Sequence, residues 1–352
     1  MKTNGTTLVR GSLIFLVAVF LVMVQQMPAS AASFYQGKVL RIVVSASPGG
    51  GFDTFARLLA RHIGNYIPGK PRTIVVNMPG GSHLVAANRI YAMRPGDGLT
   101  MVNFHYGKVA QALLGDPLVK FDPMKYQWLG DPTLSALPQV LWVRTDLGIR
   151  NLKDLKKRKE PLALGTTGMG TSPAVMAEFL KSLGYPVKNV TGYRGSANTF
   201  AALERNELHG RIISQASMQG VFRRFLDEDI VRPILTIGKE PRLKSIEGIA
   251  TIKDLKLSGA NRELAEFMIN TWALLRTYAA PPGTPADRVT ILREAFLKAL
   301  KSPKLQKDAK LQGVIVDPVS GEEVTRTIQS LAKLTKSNPE IIRKYKELAG
   351  IK

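Results

Sequence analysis

"SASPGGGFDTFARLLARHI", Ser45 to Ile63, sets three consecutive glycines directly against a helix pattern. Phe55, Leu58, Leu59, His62, Ile63 and Tyr66 recur at three- and four-residue spacing, which is one apolar face of a helix. Ahead of them "KVLRIVVSAS" is β-rich and ends at Pro48-Gly49. A strand, a glycine loop and a helix in this order open an α/β unit. Gly49, Gly50 and Gly51 have two readings. They turn a corner, or they let a ligand approach the first turn of the helix, where N–H groups lack partners and the helix dipole is positive.

The same unit recurs outward from this stretch. "RTIVVNMPGG" reads as a strand, "HLVAANRIYAMRP" as a helix and "GDGLTMVNFH" as a turn and a third strand. From about Leu141 the pattern restarts: "PQVLWVRTD" is a strand and "NLKDLKKRK" a helix. "PLALGTTGMGTSPAVMAEFLKSLGY" then gives a strand, a glycine loop and a helix. "NVTGYRGSANTFAALERNEL" repeats the scheme, with Gly192 and Gly195 before its helix, and "GRIISQAS" follows as a strand. "AAPPGTPADRVTILREAFLKALKSP" opens a further helix, and a helical tail runs to Lys352. This alternation predicts α/β architecture with largely parallel sheets, whose ligands sit outside the carboxyl ends of the strands. Three loops of one chemical kind face that position: Pro48–Thr54, Gly165–Ser172 and Tyr193–Ser196. Thr166, Thr171, Ser172 and Ser196 add hydroxyl donors. Asp53 reads equally as an acid complementing the helix dipole or as a ligand contact.

Bulk properties narrow the function. A length of 352 residues predicts about two domains, and 45% hydrophobic residues are ample for buried cores. The chain has no cysteine, which excludes disulfides, thiolate metal sites, a cysteine nucleophile and a lipid-anchored cysteine. Lys2 and Arg10, the twelve-residue apolar run Leu13–Val24 and the small residues of "MPASAAS" predict a cleaved export signal over residues 1–32. The apolar run falls short of the roughly 20 residues a membrane span needs. The net charge of +22 falls to about +20 without the signal, a field that favours anionic partners. Nucleic acid is not expected: aromatics are 7% and no basic patch is interleaved with them. "KDLKKRKE" and "KSPKLQKDAKLQ" read as solvated helix faces. There is no GxxxxGK[ST], GxSxG or HExxH. His62, His83, His105 and His209 are too scattered to predict a metal site, and His62 reads as a core residue.

Taken in order, "VVSASPGGGFDTFARLLA", "VNMPGGSHLVAANRIYAMRPGDGLTMV", "FDPMKYQWLG", "GTTGMGTSPAVMAEFLKSLG", "YRGSANTFAALERNEL" and "APPGTPADRVTILREAFLKAL" carry a resemblance. The chain resembles the substrate-binding proteins of tripartite tricarboxylate transporters, the Bug or TctC-like family, from about Tyr35 to the last helix. The resemblance implies a two-lobed Venus flytrap fold of the periplasmic-binding-protein type, each lobe a mostly parallel sheet flanked by helices. Its two crossings fall near Trp142 and Trp272, so residues 33–142 and 273–352 make one lobe and 143–272 the other. The family's first loop falls on Ser47, Pro48, Gly49, Gly50, Gly51, Phe52 and Asp53, with Thr54 following, and implies a hold on one carboxylate. Its second falls on Thr166, Gly168, Gly170, Thr171 and Ser172, and its third on Tyr193, Arg194, Gly195 and Ser196. Pro173 and Ala174 depart from the family pattern, as do His209 and the early Trp272; Pro173 and His209 are expected near the cleft.

The implied function is an exported, periplasmic solute-binding protein. It captures a small carboxylate-type anion between its lobes and delivers it to the membrane permease subunits. No cofactor, metal or covalent chemistry is expected, and a monomer is the default. Two alternatives share the sequence: a ligand-sensing partner of a membrane receptor, and an exported hydrolase acting on a carboxylate or phosphate ester.

Overall fold

The computed structural model describes residues 34–133, 138–238, 246–272, 274–336 and 338–351; the expected export signal lies outside them. In chain order the first part runs β1 (Val39–Val44), α1 (Gly51–Ile63), β2 (Arg72–Asn77), α2 (Leu84–Ala92), β3 (Thr100–Asn103), α3 (Gly107–Leu113) and β4 (Gln127–Asp131). The middle part runs β5 (Gln139–Arg144), α4 (Leu152–Lys156), β6 (Leu162–Gly165), α5 (Ser172–Ser182), β7 (Val187–Val190), α6 (Ser196–Glu204) and β8 (Gly210–Ser214). It continues through α7 (Gln215–Gln219), α8 (Arg224–Asp227), β9 (Val231–Ile237) and α9 (Gly259–Thr271). The last part is β10 (Tyr278–Ala280), α10 (Ala286–Lys301), α11 (Pro303–Leu311), β11 (Val319–Ser320), α12 (Gly321–Leu334) and α13 (Pro339–Ala349).

Two sheets form. The first has the order β11-β4-β10-β3-β1-β2 and the second β7-β6-β8-β5-β9. Within them β2-β1-β3 and β7-β6-β8 are parallel, as the strand–helix alternation predicts. The remaining pairs are antiparallel: β10 against β3 and β4, β11 against β4, and β5 against β8 and β9. Both sheets are therefore mixed, where the sequence predicts mostly parallel ones. A crossover helix fixes parallel direction only inside a βαβ unit, and these other strands join their sheets outside such units. The chain passes from the first sheet to the second between Asp131 and Gln139, and returns between Ile237 and Tyr278. Trp142 stands inside β5, paired with Arg211 of β8 and Pro233 of β9.

Leu40, Ile42, Val43 and Val44 of β1 are all buried, the near-continuous apolar run that a strand covered on both faces requires. α1 turns Phe55, Leu58, Leu59 and Ile63 into one cluster with Leu292 and Phe296 of α10. Burying each such side chain contributes about 1.5–3 kcal/mol. His62 is buried on that face, as expected, with Nε2 2.7 Å from Oδ2 of Asp308. α13 packs on both α9 and α5, so the chain's end binds onto the middle part. Packed this way, the C-terminal ends of β1, β6 and β8 release their loops toward one cleft.

Candidate binding site

Three helix starts meet at that cleft. α1 begins at Gly51 after Gly50, α5 at Ser172 after Thr171, and α6 at Ser196 after Gly195. In none of the three does a side chain cap the helix. Their first-turn N–H groups are left for another acceptor, and the helix dipoles give all three a positive end. Gly50, Gly51, Thr171, Gly195 and Ser196 line a cavity of about 50 Å³ between the two sheets. Gly51 is there for close approach. A Cβ on it would stand 2.8 Å from Oγ of Ser217 and 2.9 Å from Nη2 of Arg276.

Other expected residues shape the loops without reaching the cavity. Asp53 is 3% exposed; its Oδ2 accepts from the N–H of Gly49 at 3.0 Å and Nε of Arg57 at 2.9 Å, and Oδ1 accepts from Nδ2 of Asn77 at 2.9 Å. Burial pushes its carboxyl up, but these donors outweigh burial and hold it below the ordinary range. With both oxygens engaged, Asp53 ties the glycine loop to β2. Pro48 and Gly49 are exposed and Thr54 is half-buried, its N–H bonded to the carbonyl of Gly50 at 2.9 Å. Thr166 donates to Oδ1 of Asn189, so the next hydroxyl, Thr167, lines the cavity instead. Gly168 accepts from Thr171 Oγ1 at 2.8 Å, and Gly170, at φ +70°, adopts a backbone shape that leaves room for Gln111. Ser172 places Oγ 3.5 Å from Nε2 of His105. Tyr193 is half-buried and lines a separate outer groove with Arg194 and Arg205.

The cavity's strongest chemistry was not among the expected site residues. Arg211, near the start of "GRIIS", and Arg276, in "LLRTYAA", both line it, and only 5% and 2% of their surfaces are exposed. Arg211 Nη1 donates to the carbonyl of Gly165 at 3.3 Å and to Thr199 Oγ1, and Nη2 to Ser196 Oγ at 3.2 Å. Arg276 Nη1 donates to Thr133 Oγ1 at 3.2 Å and Nη2 to Ser217 Oγ at 2.7 Å. Its guanidinium lies 4.4 Å from the Phe55 ring centroid, within cation–π range. Burial pushes both guanidinium groups down to about 10, which leaves them charged at neutral pH. The only visible sequence signal was a lone arginine inside an otherwise apolar run.

His83 and His105, far apart in sequence, come together with ring centroids 5.4 Å apart, and Phe52 covers both at 5.5 and 6.1 Å. Burial first, then the charges of Lys108 and Arg211, pull His83 down to about 3. His105 is likewise held well below its ordinary value by burial, by His83 and by the nearby cations. Nδ1 of His105 accepts the N–H of Gly107 at 3.0 Å, so its proton sits on Nε2, toward Ser172. Among the described residues no group of three or more His, Asp or Glu is placed to hold a metal. His209, expected near the cleft, instead stands at the opposite end of β8, with Nδ1 accepting from the N–H of Ala163 at 3.0 Å. Pro173 does line the cavity.

Hydrogen bonds also cross the cleft directly. Ser47 Oγ donates to Asn198 Oδ1 at 2.9 Å, and the N–H of Ser47 donates to the carbonyl of Arg194 at 3.2 Å. Nε2 of His83 lies 3.2 Å from Thr167 Oγ1, and buried Lys108 donates to the carbonyl of Met169 at 3.1 Å. The loops of the two sheets therefore meet in a closed arrangement.

Known proteins share this architecture. The structure of the periplasmic binding protein BugD aligns with a TM-score of 0.70 at 18% identity, covering 90% of this chain and 99% of that one. The R. palustris protein Rpa4515, solved with adipate, aligns with a TM-score of 0.68 at 22% identity over 89% and 98% of the two chains. A curated relative, the UPF0065 protein in the TAR-I ttuE-ttuC' intergenic region of Agrobacterium vitis, is 27% identical over 282 residues, 78% of this chain and 75% of its own. The two-lobed α/β fold is that of periplasmic binding proteins. The model of the tripartite tricarboxylate transporter family receptor matches residues 56–346, most of the chain, and the protein belongs to that receptor family.

Proposed function

We propose that the cleft binds a small organic anion carrying a carboxylate, and that the protein delivers it in the periplasm to the permease subunits of a tripartite-type transporter. The observation that carries this reading is the meeting of three uncapped helix starts and two buried guanidinium groups at one cavity. Asp131 partly offsets Arg276, whereas no acid is set against Arg211 among the described residues; buried positive charge left over is costly, and an anion resting on those N–H groups and guanidiniums offsets it. In this reading Gly50 and Gly51 give the ligand bare backbone, Thr171, Gly195 and Ser196 close over it, and Asp53 holds the first loop in shape. The first sheet with its helices and α10 to α12 forms one lobe, the second sheet with its helices and α13 the other, and the passages between the two sheets form the hinge. The bound adipate of Rpa4515 supports a carboxylate ligand for this chain. No step of bond making is assigned to the site.

Thermal unfolding of the purified protein against mono-, di- and tricarboxylates tests the reading. A ligand present at a hundred times its Kd stabilises the fold by about 2.7 kcal/mol, a visible rise in Tm. A rise with at least one carboxylate is expected; no rise with any member of the panel overturns the reading.

A further inference from the structure

The tip of the loop between β6 and α5 is seated on residues of the opposite lobe. A Cβ at Gly168 would stand 2.6 Å from Cβ of Ser82, just ahead of α2, and one at Gly170 would overlap the Gln111 carboxamide on α3. The fit is reciprocal: a Cβ at Gly107, the first residue of α3, would stand 2.6 Å from the carbonyl oxygen of Gly170. Between the two loop glycines lies Met169. Its side chain stays with its own lobe, where Nδ2 of Asn189 donates to Sδ at 3.4 Å. Its carbonyl is taken by the other lobe, accepting from Nζ of Lys108 at 3.1 Å and from Oγ of Ser82 at 3.4 Å. Lys108 is 1% exposed, so its amine has left water for this position. Nζ also donates to Oε1 of Gln111 at 2.6 Å, and Nε2 of Gln111 donates in turn to Oδ2 of Asp116 at 2.8 Å. None of Gly107, Lys108, Gln111, Gly168, Met169 and Gly170 lines the cavity.

We infer that this loop tip is a closure seat: Gly168 and Gly170 are bare so that the first lobe docks on them, and Lys108 is the positioning residue that latches the lobes through the Met169 carbonyl without help from a ligand. The inference goes beyond the proposed function, because it concerns what holds the lobes together and not what lies between them. The loop divides accordingly. Thr167 and Thr171 face the cavity, while the three residues between them face protein. Burial pushes the Lys108 ammonium down to about 7, with Asp116 pulling the other way. Opening the seam removes Met169 from Nζ, lets water in and returns the amine toward the ordinary lysine value of about 10.4. The open arrangement then holds the proton more tightly, so a rise in pH between those values favours the closed one. The other charged or titratable groups around Lys108 are Asp116 from the turn after α3, His83 and His105 from the turns ahead of α2 and α3, and Arg211 of β8, which acts on both histidines. Between pH 7.5 and 9, about the range above imidazole and carboxylate titration and below that of guanidinium, Lys108 is the group among these that changes charge.

The chain has no cysteine, so dyes can be placed at will. Val76→Cys on β2 and Lys188→Cys on β7 are exposed positions on the edge strands remote from the passages between the sheets. Single-molecule energy transfer between them reads the distance from lobe to lobe in ligand-free protein. A dominant short-distance population is expected. Gly107→Ala suits a helix start, and its methyl meets the His105 ring at 3.0 Å in its own lobe and the Gly170 carbonyl across the seam. It is expected to lower the closed-to-open ratio about tenfold or more. Raising pH from 7.5 to 9 is expected to raise that ratio about tenfold, and Lys108→Met to abolish the dependence. A lysine that only fills space would give no such dependence. Ligand-free protein that is mainly open, or a ratio that Gly107→Ala leaves unmoved, overturns the closure seat. A ratio flat with pH overturns the role of Lys108. Each of these failures leaves the proposed function standing, because no ligand enters the test.

Discussion

On the outer helices arginines meet acids one turn away: Arg223 with Asp227 at 2.9 Å, Arg224 with Glu228 at 3.0 Å and Arg262 with Glu266 at 3.1 Å. In the cleft Arg211 and Arg276 meet hydroxyls and carbonyls. The two regions use one residue type for opposite ends. Outside, a guanidinium in water with a carboxylate beside it contributes roughly 0.2–1 kcal/mol and asks for nothing more. Inside, the same group is held by neutral dipoles, and the surrounding basic residues respond to it. Burial lowers His83, His105 and Lys108 together, and neighbouring cations add to the shifts of the two histidines, whereas on the surface Arg205 is raised by its partner Glu207. The part of these shifts that comes from Lys108, Arg211 and Arg276 acting on the two histidines marks a positive field, in which added negative charge is favoured.

The largest test of this contrast is acid. The folded protein holds His83 at about 3 and His105 well below its ordinary value, while the unfolded chain protonates them near 6.5. Below 6.5 the unfolded state therefore binds more protons, so stability is full above that pH and falls as pH drops toward 3. Urea unfolding between pH 6.5 and 4.5, a window above most carboxylate titrations, is expected to lose on the order of 2–5 kcal/mol. His83→Asn is expected to flatten much of that slope. Imidazole resonances of His83 and His105 that titrate near 6.5 would sink the picture of a desolvated, cationic cleft.

A smaller effect is expected at Gly51. A methyl group there points at Ser217 Oγ and Arg276 Nη2, both closer than Cβ atoms normally approach. Both neighbours are buried, so neither has an easy way out. Gly51→Ala is expected to cost about 1–3 kcal/mol of stability as an overpacked site. It is also expected to displace the Arg276 guanidinium and weaken carboxylate binding about tenfold or more. Calorimetric binding and unfolding of the same variant check both. Unchanged affinity would detach Arg276 from the ligand and leave only the helix starts to hold it.

Much of the fold was legible because its signals are local. The spacing of Phe55, Leu58, Leu59 and Ile63 marks α1, and the apolar run of β1 with the punctuation at Pro48-Gly49 places the loop between them. The antiparallel strands were not legible in the same way. β10 is "YAA" and β11 is "VS", each too short to carry a pattern, and their partners lie far away in the chain. The site divided along the same line. Glycine loops before helices announce themselves in sequence, and seven of their residues reach the cavity: Gly50, Gly51, Phe52, Thr167, Thr171, Gly195 and Ser196. The arginines do not, because a charged residue in an apolar run shows only that something unusual is buried. Which loop it faces depends on pairings such as Trp142 with Arg211. Asp53 shows the reverse: its position in the loop was plain, but only the approach of Asn77 and Arg57 reveals that both carboxylate oxygens are already engaged.

The smallest expected effect is the outer half of the comparison. Arg262 and Glu266 are both well exposed, one helical turn apart on α9, and water competes for each of them. Removing one partner leaves the other hydrated, so no buried charge is stranded. Arg262→Ala is therefore expected to change unfolding free energy by no more than about 0.5 kcal/mol, with carboxylate affinity unchanged. Added salt is expected to shrink even that difference, because the pair lies in solvent that screens it. Arg211→Met measured beside it removes the same charge from a place where no solvent can take over. If the two variants altered ligand binding equally, the protein's overall positive field would be drawing the anion in, and the position of a guanidinium would not matter. Affinity lost only with the buried arginine would locate recognition in the cleft, since both variants lower the net charge by the same amount.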